Sequence, residues 1–390
     1  MRIAHLADLH LGYRNYHRVD ERGRNVREAD VFAAVRHAAE EIRRRRPDAV
    51  LVAGDVFHSV RPSNWTITEA FRLFAELARG LDGAPIVLIA GNHDSPRSAE
   101  TGHILHLFAE IPRVHVATHA PRWIHVPECR AAILAVPHAA LVEAQQRDDP
   151  MLWEPDPSAE RNILVLHAGL AGPRASVALG KVFELGGVEL SEDRLDWNAW
   201  TYVALGHYHE RAALDRHVHY PGAVERTSAN LWQEQAAKGW LWVDLDADAV
   251  EFCPVPTRPV VDLEPIRARR LTAEEINAQV AARLAAVEGG VDGKILRLIV
   301  YDFDRTRRSD LDWNLVREVR ARALHFHLDL RAPEADEGPE GAVNRAPLRQ
   351  RLELYLRQRP LVRPELEREA LVALGLRLWD ETDTAEEDAA

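Results

Sequence analysis

The sequence predicts a layered α/β domain, then a smaller α/β unit and a helical C-terminal segment. Over the first 250 residues, short apolar runs alternate with helical patterns. The runs are rich in Val, Ile and Leu, as strands buried on both faces are. A proline-rich stretch, Pro254-Val255-Pro256-Thr257-Arg258-Pro259, then interrupts the alternation and reads as a boundary. With 390 residues, 46% of them hydrophobic, the chain can fill one large core and one or two smaller ones.

Candidate strands of the first domain cover residues 2–7, 49–53, 85–90, 131–136, 162–166, 201–205 and 240–245. Between the first two lies a helix over about 28–46, with Val31, Val35, Ala38 and Ile42 at helical spacing. Arg43 to Arg46 close it where the helix dipole favours positive charge, and the run reads as a solvated helix end. A second helix is expected to begin near Thr66, because Thr66 and Glu69 have capping-box spacing. Its apolar face, with Ile67, Ala70, Phe71, Phe74 and Leu77, suits either the core or a subunit interface. The second unit is expected to carry strands at 260–263, 294–301 and 325–331 and helices at 272–287 and 311–324. The resulting division is 1–256, 257–332, a linker over 333–346, a helical segment over 347–378 and a disordered acidic tail over 379–390.

Composition narrows the class. Two distant cysteines, Cys129 and Cys253, argue against a disulfide framework and for a reducing compartment. No apolar run approaches the roughly 18 residues of a membrane span, and no signal-peptide pattern follows Met1. A soluble cytoplasmic protein is expected. The net charge of −12 does not exclude a nucleic-acid partner, since residues 380–390 alone hold six acids and no base. Binding DNA needs a local positive stripe, not a positive total. Only three basic residues are lysine, so nearly all positive charge is carried by arginine; the ratio reads as GC-rich coding bias, although arginine also suits bidentate phosphate contacts.

Five polar clusters each follow an apolar run: Asp8-Leu9-His10, Gly54-Asp55, Gly91-Asn92-His93-Asp94, His167, and Gly206-His207-Tyr208-His209. Sites in α/β sheets form at the carboxyl ends of strands, so five such loops would assemble one site. Asp8, His10, Asp55, Asn92, His167, His207 and His209 supply seven oxygen and nitrogen donors. A bridging Asp55 lets seven side chains serve two metals with four ligands each. Asp8, His10, Asp55 and His209 would take the first, and Asp55, Asn92, His167 and His207 the second. Mixed imidazole and carboxylate donors without thiolate suit Mn²⁺, Fe²⁺ or Zn²⁺. Such ions, about 3.5–4 Å apart, activate a shared water that attacks phosphorus. His93 stays outside the ligand set and is expected to stabilise the transition state or protonate the leaving alkoxide, with Asp94 orienting its imidazole. His58, three residues past Asp55, is a second candidate for the phosphate. His103, His106, His138, His217, His219, His325 and His327 read as surface or packing residues.

The order of these clusters resembles the calcineurin-like metallophosphoesterase superfamily. Asp8-Leu9-His10-Leu11-Gly12 and Gly54-Asp55-Val56-Phe57-His58-Ser59-Val60-Arg61-Pro62-Ser63 are similar to the DNA double-strand-break repair nucleases, SbcD in bacteria and the Mre-type nuclease elsewhere. Tyr220-Pro221-Gly222-Ala223, Glu225-Arg226 and Lys238-Gly239 carry the resemblance to about residue 265. It implies a four-layer α/β/β/α sandwich with a DNA-capping domain. It also implies a Mn²⁺-dependent double-strand exonuclease and single-strand endonuclease, acting as a homodimer. An SMC-like ATPase of the SbcC type would bind through residues 347–378. His93 and His58 match the family's transition-state histidines. Two rival readings share the sequence: a phosphoesterase for a small diester or a phosphoprotein, and a DNA-end scaffold with structural metals. Residues 260–374 disfavour the first, and the complete catalytic set disfavours the second.

Overall fold

A computed structural model describes residues 1–96, 102–147, 153–179, 186–194, 196–228, 230–333, 352–353, 355–357 and 368–387. Along the chain the elements are β1 (Arg2–Leu6), α1 (Val26–Arg45), β2 (Ala49–Val52), α2 (Asn64–Arg79), β3 (Ile86–Ile89), β4 (Val114–Ala117), β5 (Arg122–Val126) and β6 (Ala131–Val136). There follow α3 (His138–Gln146), β7 (Arg161–His167), β8 (Gly169–Ala171), α4 (Pro173–Leu179), β9 (Glu189–Ser191), β10 (Tyr202–Gly206), β11 (Ala212–Asp215), β12 (Val218–Tyr220), β13 (Gly239–Asp244) and β14 (Ala249–Pro254). The remainder holds β15 (Val260–Arg267), α5 (Ala273–Ala285), β16 (Ile295–Tyr301), α6 (Trp313–Arg322), β17 (His325–Leu330) and α7 (Arg368–Glu387).

Two six-stranded sheets form the first unit, in the orders β14-β13-β1-β2-β3-β4 and β11-β12-β10-β7-β6-β5. β1, β2, β3 and β4 run parallel in one sheet, and β6, β7 and β10 in the other. Their side chains alternate between two buried faces. Ile3, Leu51, Val87 and Ile89 meet Ile133, Ile163, Val165 and Tyr202 in a core between the sheets. Leu6, Val50, Val52 and Leu88 face outward and are covered by Val31, Val35, Ala38, Ile42, Phe74 and Leu77 of α1 and α2. On the far side, Leu134, Leu164, Leu166 and Leu205 pack with Leu141 of α3. These three cores define the α/β/β/α layering that the sequence implied.

Helix ends differ in detail from the expectation. Asn25 caps α1, its side chain accepting from the N–H groups of Arg27 and Glu28, so the helix starts two residues early. Ser63, not Thr66, caps α2. Thr66 Oγ1 instead donates to the buried Glu28 at 2.6 Å, so its hydroxyl ties α2 to α1 rather than starting a helix. A capping box of Thr272 and Glu275 starts α5. β4, β5, β8, β9, β11, β12 and β14 went unread because they are short or half-exposed and lack a sustained apolar run.

By contacts the chain divides into two compact units. One comprises Met1–Asp262, Val291–Leu296 and Arg317–Phe326; the other Leu263–Gly290, Arg297–Val316 and His327–Ala390. The proline-rich stretch belongs to the first unit because it is anchored there: Arg258 pairs with Asp30 at 2.6 Å, and Thr257 Oγ1 accepts from Arg226. Leu231, Ile295 and Leu324 share a small cluster, and Arg18 donates to the carbonyls of Arg320, Ala321 and Ala323. In the second unit, Ile266, Ile276, Val280, Leu284, Leu298 and Val300 are buried. Nearly all of the expected linker lies outside the described residues, as does most of the first part of the helical segment expected over 347–378, before Arg368. α7 runs through the acidic residues expected to be disordered, as far as Glu387; Ala, Leu and Glu are strong helix formers. No helix among the described residues is long and apolar enough to cross a membrane.

Ile163 is fully buried between the two sheets. Ile163→Ala is expected to lower unfolding stability by about 2–5 kcal/mol, measured by urea denaturation, without altering metal stoichiometry.

Candidate metal centre

All five polar clusters leave the carboxyl ends of parallel strands β1, β2, β3, β7 and β10, and they converge. The turns that deliver them are unusual. Asp8, His10, Asp55 and His207 have φ of 53, 46, 49 and 111°, a region that non-glycine residues seldom occupy. Such conformations cost on the order of 1–3 kcal/mol each and persist where the surroundings enforce them. Here Asp8 N–H donates to Gly54 O at 3.1 Å and His10 N–H to Asp55 O at 3.0 Å, so the two loops continue the β1–β2 pairing. Glycine is required where the loops meet. A Cβ on Gly54 would lie 2.1 Å from His167 Nδ1, and one on Gly91 would lie 2.1 Å from Asp55 Oδ1.

The seven candidate ligands face one another. His10 Nε2 lies 2.9 Å from His209 Nε2. Asp55 directs Oδ2 to within 3.7 Å of His10 Nε2 and Oδ1 to within 3.5 Å of His167 Nε2. Asn92 Oδ1 sits 2.9 Å from His167 Nε2, and the His207 ring is 5.4 Å from that of His167. Asp8, His10 and His209 have donor atoms within 4.8 Å of one another, as do Asp8, Asp55 and His167. Asp8 thus reaches both triplets, where the sequence assigned it to one. Its carboxylate also accepts from His207 N–H at 3.2 Å. Two buried carboxylates surrounded by imidazole nitrogens form a donor set that fits divalent cations. Asp55, with one oxygen toward each triplet, has the geometry a bridging carboxylate needs.

Burial and neighbouring charges together set the charge states. It pushes the Asp8 carboxyl up to about 7. Burial acts on Asp55 in the same sense, but His167 and His10 outweigh it and hold Asp55 well below the usual carboxylate range. His167 is the reciprocal case: burial lowers it, Asp55 raises it more, and the result is about 9. Burial and neighbouring imidazoles depress His10 strongly, His207 to about 3 and His58 to about 4. Those rings are therefore neutral and offer a lone pair.

His58 and His93 stand beside the ligands. The His93 ring is edge-on to His10 at 4.8 Å, and His58 stacks on His93 at 5.3 Å. His93 N–H donates to Asp55 Oδ1 at 2.9 Å. The expected pairing of His93 with Asp94 is not what holds its ring. His93 Nδ1 lies 3.1 Å from the His58 carbonyl oxygen and donates to it. Asp94 is buried and points the other way, accepting from Val56 N–H at 2.8 Å, Phe57 N–H at 3.3 Å and Gly91 N–H at 2.8 Å. Adjacent residues on a turn diverge, so neighbours in sequence need not share partners. Asp94 ties the loops after β2 and β3 together.

Sequence reasoning missed Glu234 and Lys238 as site residues. Both are buried, and Glu234 Oε1 lies 3.8 Å from His209 Nδ1. Burial pushes Glu234 up, but His209 and Lys238 outweigh it and hold it below the ordinary range. The only signal was the i, i+4 spacing of Glu234 and Lys238, which is common on surfaces. His138, read as a packing residue, lies with its ring 6.3 Å from that of His167.

A calcineurin-like phosphoesterase family profile matches residues 1–211. Among curated relatives, a protein of Haloferax volcanii named DNA double-strand break repair protein Mre11 is 33% identical over 270 residues, covering 67% of this chain and 54% of its own. Proteins with the same name from Methanococcus maripaludis and Methanocaldococcus jannaschii are 28% and 25% identical. They align over 54% and 71% of this chain and over 52% and 72% of their own. The chain therefore spans about half the length of the first two.

Metal should stabilise this cluster by relieving the crowding of its donors. Mn²⁺ at a hundredfold excess over Kd is expected to add about 2.7 kcal/mol per site, read as a higher melting temperature that EDTA reverses. Asp55→Asn should lose most of this gain, and calorimetric titration should show fewer than two ions bound.

Proposed function

The chain belongs to the calcineurin-like phosphoesterase family, and from that premise we propose that it is a two-metal nuclease acting on DNA, at double-strand ends and in single strands. The observation that carries this reading is Asp55, one oxygen toward His10 and the other toward His167, with His93 and His58 stacked beside it. Asp8, His10, Asp55 and His209 would hold one ion, and Asp55, Asn92, His167 and His207 the other, with Mn²⁺ the ion we favour. When bound, such ions supply Lewis-acid polarisation of phosphate oxygens and a water activated as nucleophile at neutral pH.

The protein's own groups supply the rest. A carbonyl oxygen can only accept, so the His58 carbonyl fixes a proton on His93 Nδ1. His93 Nε2 can then donate to a leaving oxygen only when the ring is the imidazolium. His58 would contact the same phosphate. Asp94 would act through backbone, keeping the loops that carry Asp55 and His93 in register. The name shared by the archaeal relatives, DNA double-strand break repair protein Mre11, and the resemblance of the Asp55–Ser63 stretch to nucleases of that kind support DNA as the substrate. On this reading the protein works in the cytoplasm at the nucleoid, as a homodimer. We propose the nuclease, DNA-capping and partner-binding regions at 1–256, 257–332 and 347–378. An SMC-like ATPase would dock on the last, where Leu374 and Leu378 of α7 are exposed.

Wild type is expected to degrade linear duplex DNA with Mn²⁺. His93→Ala should lower the rate by roughly 10²–10⁴-fold while two ions still bind by calorimetry. Cleavage of a cyclic nucleotide, with duplex ends and single strands left intact, would sink the nuclease reading. DNA binding by the wild type should weaken steeply between about 50 and 200 mM salt, as phosphate contacts release counterions.

A further inference from the structure

His209 presents Nε2 to the metal cluster, 2.9 Å from His10 Nε2. Its Nδ1 lies 3.8 Å from Glu234 Oε1. Glu234 and Lys238 are 4% and 2% exposed, so a carboxylate and an ammonium sit inside the protein directly behind a candidate ligand. Lys238 Nζ lies 2.5 Å from Glu234 Oε2 and donates to the His209 carbonyl at 2.7 Å and to Glu210 Oε1 at 3.1 Å. Glu234 is fixed further by Ser228 N–H, which donates to Oε1 at 2.9 Å, and by Arg226, whose Nε donates to its carbonyl at 2.9 Å.

Stability alone does not call for such a group. A buried ion pair seldom outperforms apolar residues of equal volume, and breaking one is costly. The placement points to His209. On the other side of the site, His167 Nδ1 lies 2.8 Å from the Ala53 carbonyl while its Nε2 faces Asp55 and Asn92. That carbonyl holds a proton on Nδ1, so Nε2 is the atom that would bind a cation, in place of the proton it directs toward Asp55. Carboxylates do the same for metal-bound histidines elsewhere, and also raise the basicity of the ring.

We propose that Glu234 and Lys238 are positioning residues for His209: with Nε2 bound to a cation, the Glu234 carboxylate, 3.8 Å from Nδ1, draws in to take the Nδ1–H, and Lys238 locks both the carboxylate and the His209 backbone. This rests on the reading of His209 as a metal ligand. It gives His209 a carboxylate where His167, on the other side of the site, has the Ala53 carbonyl.

Calorimetric titration of the full chain with Mn²⁺ tests it. Wild type is expected to bind two ions. Glu234→Gln should weaken one site by roughly 10- to 100-fold and leave the other within about twofold. Lys238→Met should weaken the same site, and the double variant should lose no more than the worse single, as one unit. A Glu234→Gln protein with native circular dichroism that binds both ions with wild-type affinity overturns the proposal. Wild type binding fewer than two ions overturns the two-metal reading beneath it instead. Should the variants not fold, ring ¹⁵N NMR of zinc-loaded wild type decides. His209 protonated at Nδ1 and coordinated through Nε2 is expected, and the opposite tautomer overturns the assignment.

Discussion

The structure turns on a buried carboxylate held between two sets of imidazoles. Asp55 cannot shed its charge into water, and its oxygens reach His10 on one side and His167 on the other. Those histidines come from β1 and β7, strands of different sheets. Charge pairing across the sandwich therefore depends on how the two sheets stack, and the stacking depends on the core of Ile3, Leu51 and Val87 against Ile163, Val165 and Tyr202. An ionic cluster of this kind is poor at stabilising a fold. The apolar layers do that work and leave the cluster to chemistry.

The loops show where the fold bends to the site. Asp8, His10, Asp55 and His207 adopt positive-φ backbone, as turn residues elsewhere such as Arg46 and Arg130 also do. What sets the four apart is that their side chains meet at one rim. Backbone bonds between the loops after β1 and β2, and the three N–H groups gathered by Asp94, hold the strained turns in place. Gly54 and Gly91 stand where the loops touch, because any side chain there would occupy the space of His167 or Asp55.

Much of this is legible in the sequence. The buried parallel strands β1, β2, β3, β7 and β10 read clearly since both faces are apolar, and each ends at a polar cluster that lies on one rim. The short and edge strands did not read, because their burial alternates irregularly and their partners are distant in sequence. Asp94 shows the limit of adjacency. Next to His93 in the chain, it serves the backbone of Val56, Phe57 and Gly91, while a carbonyl 35 residues away holds the His93 ring. Glu234 and Lys238 show the complementary limit. Their spacing is ordinary, and only burial behind His209 distinguishes them.

The sequence by itself determined the layered α/β class, the seven donors that come together, and the two histidines beside them. Those are matters of residue type and of position at the ends of apolar runs, which local periodicity exposes. The tertiary structure alone decided which oxygen of Asp55 faces which histidine, that Asp8 reaches both triplets, what orients His93, and that Glu234 stands behind His209. Each of these is a distance of a few ångströms between segments up to 200 residues apart. Such distances follow from the packing of two sheets against each other, and no local pattern encodes them.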